Sequence, residues 1–566
     1  MKLSPGPFYP LLLLTALCCG CGGSDDTLLG SNPSSIAPPA PSPSPNLQAR
    51  LDEAFLNDSA SALQIAPRFH LNPRVVGSPI KGKGGPLTIP VSQLETDYET
   101  FFGSLNSSLG VTLQTPQVAA DIQFIASQPG TGFFNLLQKP ILNNPLGITS
   151  VSFQPLEYDT TVPLPTGDQS FHVSGGLLMP LGISRSQLKG VVVYFHGTTF
   201  SKAQVPSEYD GNGETELMAE VFASQGYVVV MPDYVGQGVD WETVHPYVLY
   251  PKVSAQTAAD MLTAVKPLLT SQYPQQGGTP ALKLFSVGYS EGGSYSLWFN
   301  QYLSSNPSRL DPFYRLTHSV GCEGAYSTSQ VTFNYLFTDV SKGEGNPFNI
   351  QSQSIVNAVK AILSADAFLS YATYSVGSQF EAVFNANFFT MNATFPVRQT
   401  ECNVNDQHLT IAQAFAQPAT NIGNQILSSA LGKAANGHTY PTRLELLLAT
   451  HNSVRSLVSA TLLQPEPFQA LRDVLASADL DLSAVADGGV SIVSLDQDSV
   501  VVPNNFDDLL TRFPNKIRSS YKIDHTRLQV LSPFSAKVGQ AVFTPADHMQ
   551  APTYEFLYAL NLFNQF

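Results

Sequence analysis

Ala281-Leu282-Lys283-Leu284-Phe285-Ser286-Val287 runs directly into Gly288-Tyr289-Ser290-Glu291-Gly292-Gly293. The first seven residues form an apolar, strand-like run. Beyond the glycines, Tyr295, Trp298, Phe299, Tyr302 and Leu303 recur at the spacing of one helix face, and Pro307 marks the far end. The pattern G-x-S-x-G therefore stands between a buried strand and a buried helix. By itself the pattern is weak, since about a few tenths of one chance match is expected in a chain of this length. Its position makes it informative. A serine on so sharp a strand-to-helix turn projects its hydroxyl above the sheet edge, and glycines two residues before and after remove side chains that would clash there. The helix that follows aims free N–H groups and its positive end at whatever reacts at that hydroxyl. Ser290 is the expected nucleophile.

Two more apolar runs lie upstream. Val191 to Phe195 is followed by His196-Gly197-Thr198-Thr199, and Gly226 to Met231 leads into Pro232-Asp233-Tyr234-Val235-Gly236-Gln237-Gly238. A helix-like stretch from Ala255 to Leu269 then approaches the nucleophile strand. Strands alternating with helices predict a mainly parallel sheet. A strand ending in His-Gly, the phrase Pro-Asp-Tyr-x-Gly-x-Gly and the nucleophile turn together resemble the α/β-hydrolases, and among them bacterial secreted esterases and secretory lipases. The resemblance covers about residues 150–566. It implies an α/β fold with a mostly parallel central sheet flanked by helices. It also implies an oxyanion hole of two backbone N–H groups, one from Glu291 and one from Thr198. His196 reads as a brace for its loop and not as the catalytic base. Asp233 precedes the nucleophile strand and reads as structural.

A serine hydroxyl needs a histidine to take its proton and a carboxylate to orient that histidine. In the family these follow the nucleophile in the order acid, then histidine. Gly488 to Leu495 reads as a strand opening into Asp496-Gln497-Asp498-Ser499-Val500-Val501-Val502-Pro503. Asp498 best matches the family's Asp followed shortly by Val-Pro, although the gap to Pro503 is one residue longer than usual. Asp496 is the next candidate. Glu323, after a strand expected at Thr317 to Gly321, is the third, because some relatives place the acid there. For the base, His548 in Phe543-Thr-Pro-Ala-Asp-His548-Met is expected on a loop before a closing helix, Pro552 to Phe563. His525 is its rival, just ahead of a strand-like Arg527 to Leu531. His318, His408, His438 and His451 read as core or surface residues.

The N-terminus reads as an address. Lys2 is followed by an apolar run, Phe8 to Leu17, too short to span a bilayer, and then by Cys18-Cys19-Gly20-Cys21-Gly22. This resembles a bacterial lipoprotein signal peptide over residues 1–20, with Cys21 as the lipidated residue. Gly20 fits the pattern; Cys18 stands where leucine is usual, which leaves Cys19 as a weaker alternative. Gly22 in place of aspartate after Cys21 implies the outer membrane. Residues 21–46 are a Pro/Ser-rich tether. Residues 47–150 form an N-terminal extension with candidate helices at Leu94–Phe102 and Val118–Phe124, and 151–566 form the catalytic domain. Within it, the helix-like segments between about 324 and 480, from Ser354–Leu369 to Pro467–Leu475, lie where the family inserts a cap. Their many Phe, Leu and Ala residues predict an apolar pocket.

Composition narrows the partners. The 566-residue chain is 43% hydrophobic and 13% charged, with a net charge of −15, which argues against nucleic acid. In an oxidising compartment Cys322 and Cys402 are a candidate disulfide; the alternative is two buried free thiols. No C-x-x-C spacing joins them, so a structural zinc is not expected. Asp210-Gly-Asn212-Gly-Glu214 resembles a fragment of a calcium loop but lacks its later glycine and glutamate, and reads as a turn. No metal and no cofactor is expected. The expected activity is a serine hydrolase acting on a carboxylic ester or lipid-like small molecule, held at the membrane by its lipid anchor. The alternatives are an exported serine peptidase on the same scaffold and a surface binding module with a degenerate site. An intact serine, histidine and acid set argues against the latter.

Overall fold

The structure, a computed structural model, describes residues 78–79, 87–97, 146–332 with short gaps, 335, six positions between 363 and 375, 468–523 apart from 499, and 545–566. Its strands are β1 (Ser78–Pro79), β2 (Leu87–Pro90), β3 (Ser150–Leu164), β4 (Gly167–Leu181), β5 (Gly190–Phe195), β6 (Tyr227–Pro232), β7 (Leu282–Tyr289), β8 (Tyr314–Cys322), β9 (Val490–Leu495) and β10 (Ile517–Ile523). The main helices are α1 (Gly213–Val221), α2 (Pro251–Gln272), α3 (Glu291–Ser305), α4 (Phe468–Ser477), α5 (Asn504–Arg512) and α6 (Pro545–Phe563).

All ten strands join one sheet in the order β1-β3-β4-β6-β5-β7-β8-β9-β10, with β2 paired to β3. From β6 to β10 every neighbour is parallel. β4 meets β6 antiparallel, and the β3–β4 hairpin continues the sheet beyond it. A parallel sheet needs cover on both faces, and its strands then carry apolar residues at successive positions. Val191-Val192-Val193-Tyr194-Phe195 shows the sorting that a strand's two-residue period imposes. Val191, Val193 and Phe195 join a core with Val253, Leu262 and Val265 of α2 and Tyr295 and Trp298 of α3. Val192 and Tyr194 join the opposite core with Met218 and Val221 of α1 and Phe556, Leu560 and Phe563 of α6. This is the α/β-hydrolase fold, and it places the ends of β5, β7, β8 and β9 along one sheet edge.

Several elements differ from the sequence reading. β3 and β4, fifteen residues each, form a long hairpin whose alternating pattern is interrupted by prolines and glycines. The last strand among the described residues is β10, a polar edge segment with Arg518, Ser519, Ser520 and Lys522; the run from Arg527 to Leu531 lies outside the described residues. α6 begins at Pro545 and passes through Pro552, so His548 sits in a first helical turn and not on a loop. Proline is tolerated at the start of a helix because the first N–H groups have no helical acceptor anyway. Residues 91–97 are helical, earlier than the expected helix from Leu94, and α4 overlaps the expected Pro467–Leu475 helix. The signal segment with Cys21, the tether, Val118–Phe124 and most of the expected cap lie outside the described residues. No helix among the described residues is long and apolar enough to cross a membrane.

Candidate active site

β7 ends at Tyr289, and α3 starts at Glu291, so one residue makes the turn. That residue, Ser290, has φ 56° and ψ −120°, a conformation side chains seldom adopt and one that costs on the order of 1–3 kcal/mol. Two backbone bonds hold it there: Ser290 N–H donates to the Cys322 carbonyl at 2.9 Å, and Gly293 N–H donates to the Ser290 carbonyl at 2.9 Å. The flanking glycines are required by close approach. A Cβ on Gly288 would meet the Gly292 carbonyl oxygen at 2.1 Å, and one on Gly292 would meet the Phe195 carbonyl oxygen at 2.0 Å.

Ser290, His548 and Asp498 come together from β7, α6 and the segment after β9. His548 Nε2 lies 3.0 Å from Ser290 Oγ, and its Nδ1 lies 2.5 Å from Asp498 Oδ2. The other Asp498 oxygen accepts the Val500 and Val501 N–H groups at 2.6 and 3.0 Å. Burial works to raise the Asp498 pKa, but His548, Glu323 and the Val500 amide outweigh it and hold the carboxyl below its ordinary value. Tyr289 fixes the histidine from below: its hydroxyl donates to the His548 carbonyl, and the two rings stand 4.9 Å apart. Asp496 does not take this place; it is half-buried and uses its N–H on the Ile523 carbonyl. Glu323 and Glu555 lie behind Asp498, both buried and both pushed well above the ordinary carboxyl pKa, chiefly by burial; Asp498 adds to the rise in each, while Glu323 works against it at Glu555.

The other flank of Ser290 is built from β5. Thr198 Oγ1 donates to Glu291 Oε2 at 3.1 Å and lies 3.2 Å from the Tyr247 hydroxyl. The two residues expected to line the oxyanion hole are thus tied together through their side chains. Glu291 Oε1 also takes the Tyr295 hydroxyl at 2.7 Å and lies 2.5 Å from His245 Nε2. Burial works against the Glu291 charge, but His245 and Tyr295 overcome it and hold its pKa below the ordinary value. His196 stacks on Tyr234 at 4.0 Å, and its ring nitrogens face the Gly197 and Asp233 carbonyls at 2.7 and 3.3 Å, so it braces the loop. Asp233 accepts from Ser174 Oγ at 2.5 Å and from the Ser207 N–H at 2.8 Å, a structural role.

Other candidates resolve as follows. Cys322 is a buried free thiol at the end of β8, and the expected partner Cys402 lies outside the described residues. Cys402, His408, His438, His451 and His525 lie outside the described residues. His318 is a core histidine bonded to Ser491 Oγ at 2.8 Å and pulled down to about 3 by burial. Glu214 ends the fragment that resembled a calcium loop; it instead accepts the Tyr194 hydroxyl and the Gly197 N–H, anchoring the His-Gly loop. Glu323, Asp498 and His548 have ligand atoms within 4.8 Å of one another. At 2.5 Å, however, Asp498 Oδ2 and His548 Nδ1 are bonded to each other, closer than two ligands about 2 Å from one ion would sit.

Tyr289, His245, Glu214 and Glu555 escaped the sequence reading as contributors to the site. Tyr289 was legible in principle, as the aromatic residue beside the serine. The other three act through partners distant in the chain, which no local pattern reveals.

No family model matches the chain, and no curated protein sequence matches it. Among solved structures, it is similar to a Legionella pneumophila protein that carries a provisional hydrolase label, at 19% identity over 75% of this chain and 94% of that one, TM-score 0.46. It is similar to the rice cell wall degrading esterase LipA from Xanthomonas oryzae, at 16% identity over 73% and 94%, TM-score 0.46. It is also similar to Candida antarctica lipase A, at 13% identity over 66% and 71%, TM-score 0.41.

Proposed function

We propose that this chain is a serine hydrolase that cleaves carboxylic esters through an acyl-enzyme. The observation that carries the reading is the continuous path from Ser290 Oγ to His548 Nε2 at 3.0 Å and from His548 Nδ1 to Asp498 at 2.5 Å. Ser290 Oγ attacks the ester carbonyl carbon while its proton passes to His548 Nε2. Asp498 accepts the Nδ1–H bond, fixes the ring's orientation and stabilises the imidazolium. The carbonyl oxygen becomes an oxyanion held by the backbone N–H groups of Glu291 and Thr198. Collapse expels the alkoxide, which takes the proton from His548 and leaves as the alcohol. Water then attacks the acyl-enzyme with His548 as base, and Ser290 recovers its proton from the imidazolium as the acid departs. No step draws on a metal or an organic cofactor.

The sequence supports an address for this activity. Cys21 is the lipid-bearing residue of an exported outer-membrane lipoprotein, and residues 21–46 hold the catalytic body away from the bilayer. The apolar composition of the 324–480 segment supports an apolar ester as substrate, with that segment as a cap. A panel of p-nitrophenyl esters of increasing acyl length, run beside peptide anilides, tests the reading. Turnover of esters with little or none of the anilides is expected. Dominant anilide cleavage contradicts the ester reading and favours a peptidase.

A further inference from the structure

The segment after β8 brings a second carboxyl to the triad acid. The chain leaves the strand at Glu323 with φ 52°, and the Glu323 N–H still donates to the Val493 carbonyl at 3.0 Å. Glu323 is 1% exposed, and one of its carboxyl oxygens lies within 4.8 Å of an oxygen of Asp498, which is 0% exposed. Its own oxygens accept the Leu495 N–H and the Ser494 hydroxyl, the latter at 3.1 Å. Glu555, from the second turn of α6 beyond His548, is 0% exposed and faces the same pair. Three carboxyls thus share one buried space. The other titratable groups facing it are Tyr289 from β7, Cys322 from β8, and Tyr326 and Tyr335 from the segment that follows, none of which brings a positive charge. Among the described residues His548 is the one group facing this space that is able to carry a positive charge, and its Nδ1 is bonded to Asp498.

Two ionised carboxyls this close repel strongly where water is excluded, and a hydrogen bond between them needs a proton on one of them. Asp498 has the better set of donors, with two backbone amides in addition to His548; Glu323 has one amide and one hydroxyl. The proton therefore belongs on the glutamate.

We propose that Glu323 is a positioning residue that works as a neutral carboxylic acid: it donates a hydrogen bond to Asp498 and so fixes the carboxylate that orients His548. The proposal rests on the serine-hydrolase reading for its kinetic consequence but not for the protonation itself. Charge neutrality explains how a glutamate stands against the triad acid without competing for His548. The Gln side chain copies what the neutral acid offers, since its NH2 donates to Asp498 and its carbonyl accepts from Leu495. Ser494 keeps a second acceptor in the Leu495 carbonyl at 3.0 Å.

The test compares the full chain with Glu323→Gln and Glu323→Ala in two readouts. In the first, ester hydrolysis, Glu323→Gln is expected to keep kcat within about threefold, and Glu323→Ala to lose about 10- to 100-fold in kcat at nearly unchanged KM. Equal losses in the two variants would mean that a negative charge is what the site needs, and would overturn the proposal. The second readout is the infrared carbonyl band of an un-ionised carboxylic acid, taken as the wild-type-minus-Glu323→Gln difference at pH 7. Its presence supports the neutral acid; its absence overturns it. If the wild type hydrolyses no ester and Ser290 takes no fluorophosphonate, the hydrolase reading fails, and the infrared band still decides the state of Glu323.

Discussion

The two flanks of Ser290 both bury glutamates, yet they set their charges in opposite ways. On the flank proposed to hold the oxyanion, Glu291 is 2% exposed, and despite burial His245 and Tyr295 hold its pKa below the ordinary value. On the acid flank Glu323 and Glu555 are as deeply buried and are driven towards the neutral form. Burial is common to all three and does not decide between them. The partner does: an imidazole nitrogen 2.5 Å from Glu291 favours its charged form, whereas among the described residues the one imidazole near Glu323 and Glu555 is already bonded to Asp498. The flank proposed to hold an oxyanion carries a carboxylate bonded to His245, Tyr295 and Thr198. The flank that must orient a histidine concentrates its negative charge on a single carboxylate.

The largest effects are expected on the acid flank. Asp498→Asn should lower kcat by about 10⁴-fold, because the amide favours the wrong histidine tautomer, while Asp496→Asn should change it by about threefold or less. The reverse ranking would place the working acid at Asp496 and break the contrast. Next, Thr198→Val removes the hydroxyl that joins the two residues proposed to hold the oxyanion, and kcat for ester cleavage should fall about 10-fold with KM little changed. A loss confined to KM would instead assign Thr198 to substrate binding.

A pH series of melting temperatures separates the flanks without reference to activity. The Glu291 pKa in the folded protein lies below its ordinary 4.5. Its contribution is therefore present above pH 4.5 and is lost as the pH falls through the folded value. Glu555 shows the opposite sign, since its folded value is well above 4.5. The folded state then binds the extra proton, and stability falls as the pH rises from 4.5 towards that raised value, by at most about 1.4 kcal/mol per pH unit for one proton. Glu555→Gln should gain on the wild type as the pH rises, while Glu291→Gln should lie below it at neutral pH and converge with it in acid. Identical pH curves for the two variants would contradict the contrast. The smallest effect belongs to His172, bonded to Asp159 at 2.8 Å and Glu157 at 3.0 Å. Burial lowers its pKa, but the two carboxylates outweigh that and raise it above 6.5. Its stabilisation is present below pH 6.5 and is lost as the pH rises through the folded value. With the side chain one-third exposed, His172→Gln should cost under about 1 kcal/mol by melting at pH 6 and less at pH 9.

The parallel core was legible because its strands are continuous apolar runs: Val191–Phe195, Gly226–Met231 and Ala281–Val287 each fall on a strand with shifts of a residue or so at the ends. Ser290, His548 and Asp498 were legible as candidates because a nucleophile turn, a strand end and a late histidine each leave a local mark. The rest depends on distance in the chain. β10 was missed because an edge strand exposed on one side needs few apolar residues, and Arg518 and Lys522 mask it. The start of α6 was misplaced because Pro552 reads as a beginning, although the helix passes through it. The Glu323–Asp498–Glu555 group had no signature at all, since its members sit after β8, after β9 and on α6. Glu323 could be weighed from the sequence only as a rival to Asp498, and the structure makes it Asp498's neighbour.

The most direct test of the site is mapping where a fluorophosphonate attaches to the full chain and how fast. Modification of Ser290 alone in the wild type is predicted, with the rate falling by several orders of magnitude in His548→Ala while its melting temperature stays close to that of the wild type. Modification at another residue, or equal rates in the wild type and His548→Ala, would show that the imidazole 3.0 Å from Ser290 Oγ does not make that hydroxyl reactive.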